Sequence, residues 1–257
     1  MATVSRSFSV KSISRKISRV PVESVTDLKT CSTEIMGSDM RLSFLYSRHF
    51  IATLLLTAVA GLSGAADKPP APARTILVLG DSLSAEYGLK RGSGWVALLE
   101  QRLAREGKPA KVINASISGD TTAGGRSRLP ALLALHHPTH VIIELGGNDA
   151  LRGLPLESTR DNLNRMTQAA KKAGARVLLI GMQVPPNYGQ DYGQRFSATF
   201  RTVAHRNNVG LVPFILKGVA DGPDATSLFQ ADRIHPTEAA HPIMLDNVWP
   251  ELKKQLS

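Results

Sequence analysis

The sequence predicts an α/β domain, a three-layer α/β/α sandwich around a five-stranded parallel sheet. From Arg74 onward, short apolar runs alternate with longer segments of helical periodicity. Runs such as Ile76–Leu79 and His140–Leu145 are nearly continuous in Val, Ile and Leu, as in strands covered on both faces. Five such runs, with helical segments between them, are the pattern of a doubly wound sheet.

The elements follow in order. Ile76–Leu79 is the first strand. Ser93 is placed to cap a helix in which Trp95, Leu98, Leu99 and Leu103 share a face, and Gly107 ends it. Lys111–Ala115 is the second strand, and Arg128–Leu135 a helix closing near Pro138. His140–Leu145 is the third strand. Glu157–Ala173 is a long helix stopped by Gly174, and Arg176–Gly181 the fourth strand. Phe196–Asn207 is helical, and Gly210–Phe214 is the fifth strand. Thr237–Leu256 is a terminal helix with Met244, Val248, Leu252 and Leu256 in register, which Pro250 should kink or interrupt.

The chain has 257 residues, and residues 74–257 suffice for one packed α/β domain but not for two large ones. The net charge is +10. Residues 1–73 hold nine Lys or Arg and five acids; the rest carries no basic block, so no nucleic-acid partner is expected. Cys31 is the only cysteine and lies upstream of the expected mature chain, which excludes a disulfide, a thiol nucleophile and a cysteine metal site there.

The N-terminal region reads as processing sequence. Arg41, Arg48 and His49 precede an apolar run of 13 residues, Phe50–Leu62, and then Ser63-Gly64-Ala65-Ala66. This basic, apolar, small-residue order over 40–66 is that of a secretory signal peptide, with cleavage near Ala65 or Ala66. The run is shorter than the ~20 residues a membrane span needs. Residues 67–73, with Pro69, Pro70 and Pro72, form a flexible leader. Residues 1–39 do not fit a signal peptide; they are read as an upstream extension, with translation starting at Met40 or Met36. The expected location is periplasmic or secreted, with no stable membrane anchor.

Four blocks carry chemistry, each also open to a plainer reading. Gly80-Asp81-Ser82-Leu83-Ser84 follows the first strand, where open α/β sheets place their sites, though these residues also make ordinary turns. Asn114–Thr122 follows the second strand. Its Gly119 N–H can face an oxyanion, or the segment can be a turn capped by Ser118 or Asp120. Glu144-Leu145-Gly146-Gly147-Asn148-Asp149 follows the third, and the Asn148 amide can donate to the same oxyanion or to its own turn. In Asp232-Arg233-Ile234-His235-Pro236, an acid three residues before a histidine can hold the imidazole as a base for Ser82. Pro236 places His235 at a loop–helix junction. Of the other histidines, His136, His137 and His140 are expected at the surface, His205 lies on a polar helix, and His241 can pack or bond locally. None is read as a zinc ligand, and no metal or cofactor is expected.

In this order the blocks resemble the SGNH, or GDSL, hydrolase family. LGDSLSAEYG, INASISGDTTAGG, RLPALLALHHP, VIIELGGNDALRGLP, PPNYG and IHP are similar to its bacterial periplasmic branch of multifunctional thioesterase I / protease I / lysophospholipase and arylesterases. The resemblance runs from about Thr75 to the C-terminus. It implies a flavodoxin-like fold, Ser82 as nucleophile, His235 as base and Asp232 as its orienting acid. It further implies an oxyanion hole of Ser82 N–H, Gly119 N–H and the Asn148 side chain. Leu151, Arg152, Gly153, Leu154 and Pro155 match a loop that helps hold the acyl chain. Glu86 departs from the glycine usual in close relatives; it is expected to be solvated, the alternative being an effect on substrate preference. The expected activity is hydrolysis of carboxylic esters and acyl-thioesters, small molecules, by a monomeric enzyme. A deacetylase of cell-wall sugars on the same scaffold and a non-catalytic binding domain are the rival readings.

Overall fold

The computed structural model describes residues 74–222 and 225–257. The extension, signal segment and leader expected over 1–73 lie outside the described residues. The elements are β1 (Arg74–Gly80), α1 (Trp95–Arg105), β2 (Ala110–Asn114), α2 (Thr122–His136), β3 (His140–Glu144), α3 (Gly147–Leu151), α4 (Leu156–Lys172), β4 (Arg176–Ile180), α5 (Gln190–Asn207), β5 (Gly210–Val212) and α6 (His241–Gln255).

All strand pairings are parallel, in the order β2-β1-β3-β4-β5. The strand alternation divides the core into two layers. Ile76, Val78, Ile142, Leu178 and Ile180 pack with Trp95, Leu99 and Leu103 of α1 and with Met244, Val248 and Leu252 of α6. Leu77, Leu79, Val141, Ile143 and Leu179 pack on the opposite side with Leu129 of α2, Leu163 and Met166 of α4, and Phe196 and Phe200 of α5. The expected three-layer sandwich is therefore present. β1 is followed in sequence by β2 on one side and β3 on the other, so the strand order reverses between β1 and β3. The carboxyl ends of these two strands flank the crevice where open α/β sheets bind ligands.

Several boundaries differ from expectation. The residue before α1 is Gly94, and Ser93 Oγ donates instead to Lys90 O at 2.7 Å. α2 starts six residues before Arg128 because Thr121 Oγ1 accepts the Gly124 N–H, and the helix runs on through both glycines. Gly125 is a packing requirement: a Cβ there would lie 2.3 Å from Leu145 Cδ1. α5 starts at Gln190 rather than Phe196, adding a polar first turn with Asp191 at the favourable end of the helix dipole. β5 ends at Val212. Glu238–Ala240 is a separate 3-10 turn, and α6 begins at His241 and passes Pro250 without interruption. Trp249 and Leu252, 4% and 0% exposed, anchor the helix on either side of that proline.

Candidate active site

Ser82 leaves the end of β1, and its Oγ lies 2.9 Å from His235 Nε2, across 153 residues of sequence. The other ring nitrogen, Nδ1, is 2.6 Å from Asp232 Oδ2. Asp232 Oδ1 meanwhile accepts the N–H groups of Ile234 and His235 at 2.9 and 3.0 Å. One carboxylate thus shapes the turn and orients the ring, with Arg233 in the left-handed region at φ 57°. The backbone N–H of His235, then its ring, then the Ile234 N–H pull the Asp232 pKa down to about 2. This acceptor keeps the proton on Nδ1 and leaves the Nε2 lone pair for the serine.

The expected loop–helix junction at His235 is not what holds it. Phe229 and Pro236 form an antiparallel bridge, the His235 carbonyl accepts the Gln230 N–H at 2.7 Å, and the Thr237 N–H reaches Leu228 O at 2.8 Å. No helix starts at Pro236; the histidine sits in a small stapled loop.

Gly119 and Asn148 lie on the two loops neighbouring Ser82, after β2 and at the start of α3. Gly119 has φ 77°, a conformation that glycine enters without penalty. Among the described residues, the N–H groups of Ser82 and Gly119 have no protein acceptor. The Gly119 loop is held from behind by Arg128, which donates to Asp120 Oδ2 at 2.8 Å and to the carbonyls of Ala115 and Gly80. Arg152 donates to Gly119 O at 2.7 Å and so ties this loop to the end of α3. Of the residues expected to hold an acyl chain, Leu151 is the last residue of α3 and half exposed. Gly153 and Leu154 donate back to Ala150 O and Asp149 O, and Pro155 introduces α4.

Beneath the serine lies a pair of carboxyl groups that no sequence pattern singled out. Asp81 is 2% exposed; its Oδ1 accepts the Leu83 N–H at 3.1 Å and its Oδ2 the Asn148 Nδ2 at 3.0 Å. Glu144, at the end of β3, accepts through Oε2 from Ser84 Oγ at 2.8 Å and from the Asp81 N–H at 3.3 Å. Trp95 Nε1 donates to Ser84 Oγ at 3.2 Å. Gly80 is required for this approach, since a Cβ would fall 2.8 Å from Glu144 Oε2. Burial pushes the Asp81 pKa up to about 6 against the pull of Leu83 and Asn148. Complete burial, and then the Asp81 charge next to it, raise the Glu144 pKa well above its ordinary value.

Three other expectations change. Glu86 is not a solvated carboxylate: at φ 58°, it accepts the Gly92 N–H at 3.0 and 3.1 Å and the Gly94 N–H at 2.9 Å, closing the loop before α1. His140 is buried rather than at the surface, with Nε2 against Gln255 O at 3.1 Å. His241 bonds not locally but to Trp95 N, and burial lowers its pKa to about 4. Tyr87 is a further residue at the site: its ring lies 4.3 Å from that of His235, tilted by 37°, and it is 49% exposed. Its position five residues after the serine was the only sequence signal for it. Among the described residues, no group of three His, Cys, Asp or Glu is placed to hold a metal ion. A separate hollow of about 490 Å³ opens beside the Pro185-Pro186 segment and the first turn of α5, lined by Val184, Gly189 and Gly193; no triad residue lines it.

The chain is similar in sequence and fold to known proteins. The chain is 54% identical over 186 residues to the esterase TesA of Pseudomonas aeruginosa, covering 72% of this chain and 91% of the relative. It is 43% identical over 176 residues to the thioesterase 1/protease 1/lysophospholipase L1 of Escherichia coli, covering 68% and 82%. The crystal structure of TesA superposes with a TM-score of 0.68 at 53% identity, covering 72% of this chain and all of that one. A psychrotrophic esterase, EstA, from a Pseudoalteromonas species, solved with monoethylphosphonate as inhibitor, superposes with a TM-score of 0.67 at 40% identity, covering 71% and 98%. The profile of the GDSL-like lipase/acylhydrolase family matches residues 78–243, and the chain belongs to that family.

Proposed function

We propose that this protein is a serine hydrolase that cleaves carboxylic esters and acyl-thioesters through an acyl-enzyme on Ser82. The observation that carries the reading is the placement of one imidazole between Ser82 Oγ and Asp232 Oδ2, at 2.9 and 2.6 Å. An alcohol is a weak nucleophile near neutral pH and needs such a base. In this reading Oγ attacks the acyl carbon while His235 Nε2 takes its proton. The ring, now carrying two protons, is stabilised by Asp232 through Nδ1–H. The negative charge on the former carbonyl oxygen is met by the Ser82 N–H, the Gly119 N–H and the Asn148 amide. His235 then passes its proton to the departing alcohol or thiol. Water, activated by the same ring, releases the acid and restores Ser82.

The residues Leu151–Pro155 are proposed to border the acyl group, with exposed Leu151 one helical turn beyond Asn148. The order of residues in 40–66 supports export, to the periplasm or beyond. Among the described residues no helix is long and apolar enough to cross a membrane.

The test uses p-nitrophenyl butyrate and a medium-chain acyl-CoA. Ser82→Ala should abolish turnover of both substrates and labelling by a fluorophosphonate while leaving the circular dichroism unchanged. Full turnover in Ser82→Ala would remove the mechanism.

A further inference from the structure

We propose that Asp81 is a positioning residue that fixes the orientation of the Asn148 side-chain amide, turning its N–H rather than its carbonyl toward the oxyanion. The proposal deepens the reading of Asn148 as an oxyanion donor and rests on it.

A side-chain amide has two nearly isosteric orientations, and only its partners choose between them. At Asn148 a wrong choice is costly, because a carbonyl oxygen in the oxyanion site would repel the developing charge instead of stabilising it. Asp81 supplies the choice. Its carboxylate accepts Asn148 Nδ2 at 3.0 Å in a site where Asp81 is 2% exposed. One amide hydrogen is used there and the other is left for the substrate oxygen. The reversed amide would set its carbonyl against a carboxylate, acceptor against acceptor, where little solvent can intervene. A group that only accepts therefore biases the amide; one that both donates and accepts does not.

Two neighbours keep Asp81 in this role. The Leu83 N–H holds Oδ1 at 3.1 Å, which leaves Oδ2 for Asn148. Glu144 Oε2 accepts the Asp81 N–H at 3.3 Å and the Ser84 hydroxyl at 2.8 Å, which fixes the backbone that carries Asp81. The titratable groups that bear on Asp81 are Glu144 from β3, His235 from the stapled loop and Asp120 from the loop after β2. Glu144, itself held by Ser84, thus anchors the Asp81 backbone, while Leu83 sets which carboxylate oxygen faces Asn148. The device lies at the carboxyl ends of β1 and β3, where the strand order reverses, and links the nucleophile loop to the oxyanion loop.

The arrangement makes an unusual demand on substitutions. In Asp81→Asn the Leu83 N–H claims the new carbonyl oxygen, which turns the new NH2 toward Asn148. Asn148 then gains a hydrogen bond by reversing, and its carbonyl enters the oxyanion site. In Asp81→Ala no partner remains and both orientations are populated. The isosteric variant should therefore be the worse enzyme. A merely structural role predicts the opposite order, since alanine leaves a cavity and two unmet donors whereas asparagine nearly fills the space.

The experiment measures kcat and KM on p-nitrophenyl butyrate for full-length wild type, Asp81→Asn, Asp81→Ala, Asn148→Ala and the double variant Asp81→Asn/Asn148→Ala. Folding is checked by circular dichroism and Tm. We expect kcat to fall by ~10²–10³ in Asn148→Ala and at least as far in Asp81→Asn, with KM moving less than ~3-fold, because the lost contact is made in the transition state. Asp81→Ala should fall about tenfold less than Asp81→Asn. The double variant should be no slower than Asn148→Ala, because Asp81 acts through the amide that is gone. Multiplied losses in the double variant, or an alanine variant slower than the asparagine one, would overturn the proposal while leaving Asn148 its oxyanion role. Unchanged kcat in Asn148→Ala would overturn that role and the proposal together.

Discussion

His241 Nδ1 accepts the backbone N–H of Trp95 at 3.0 Å, so the first turn of α1 is capped by a side chain from the first turn of α6. The cap replaces the serine that the sequence offers, and it needs a neutral imidazole whose Nδ1 bears no proton. Burial supports this by lowering the ring pKa to about 4. The folded value lies below the unfolded value of 6.5, so the unfolded chain takes up the proton first as pH falls. The stability this contributes is complete above pH 6.5 and is lost as pH drops toward 4. His241→Ala should cost on the order of 2 kcal/mol at pH 7.5 in urea unfolding, from a lost cap and a cavity. It should also flatten the decline in stability between pH 6.5 and 4.

Asp81 has the opposite sign. Its folded pKa, about 6, lies above the ordinary value of 3.8, so the folded state binds the proton more tightly. Its ionisation costs stability as pH rises from about 4 to 6, and that cost is fully present above 6. Asp81→Asn should therefore be more stable than wild type at pH 8, by about 1–2 kcal/mol, and lose this advantage near pH 4. Thermal melts at the two pH values check it. Higher Tm with lower kcat in one variant would mark Asp81 as a group kept for activity at the expense of the fold.

Glu86 occupies a left-handed position and closes its loop through the N–H groups of Gly92 and Gly94. Glu86→Ala loses those acceptors and keeps the backbone strain, at about 1–2 kcal/mol. Glu86→Gly loses the same acceptors but relieves the strain, and should be the milder change by about 1 kcal/mol. Chemical denaturation of the two variants side by side gives the comparison. Because Tyr87 follows directly and lies on His235, both variants should also raise KM for p-nitrophenyl butyrate by a few-fold.

Asp232→Asn should retain the fold and lower kcat by ~10³–10⁴. The asparagine carbonyl will stay with the N–H groups of Ile234 and His235, as Oδ1 does now, and its NH2 will face Nδ1. The imidazole then carries its proton on Nε2, the nitrogen that must accept from Ser82. Stopped-flow acylation rates, with Tm as the folding control, distinguish this from simple loss of the loop.

Much of this protein can be read from its residues. The five apolar runs became five parallel strands, and the blocks holding Ser82, Gly119, Asn148 and His235 came to one edge of the sheet. Such runs are local: a strand buried on both faces must be apolar along its length wherever it lies in the sheet. Boundaries were less legible where the deciding contact was distant. Gly124 and Gly125 look like a loop until Leu145 is placed against the helix, and Ser93 looks like a cap until His241 arrives.

By itself, the sequence determined the layered α/β architecture and a serine, an acid–histidine pair and two oxyanion candidates at strand ends. Continuous apolar runs and short-range turn chemistry encode these things within a few residues. Only the tertiary structure decided what lies under the serine. Asp81 and Glu144 are 63 residues apart, and each taken alone is an ordinary acid at the end of a strand. Packing β1 beside β3 withdraws both from water, raises the pKa of each and turns Asp81 toward Asn148. Desolvation depends on everything that surrounds a group, so neither residue carries that information in its own neighbourhood of the chain.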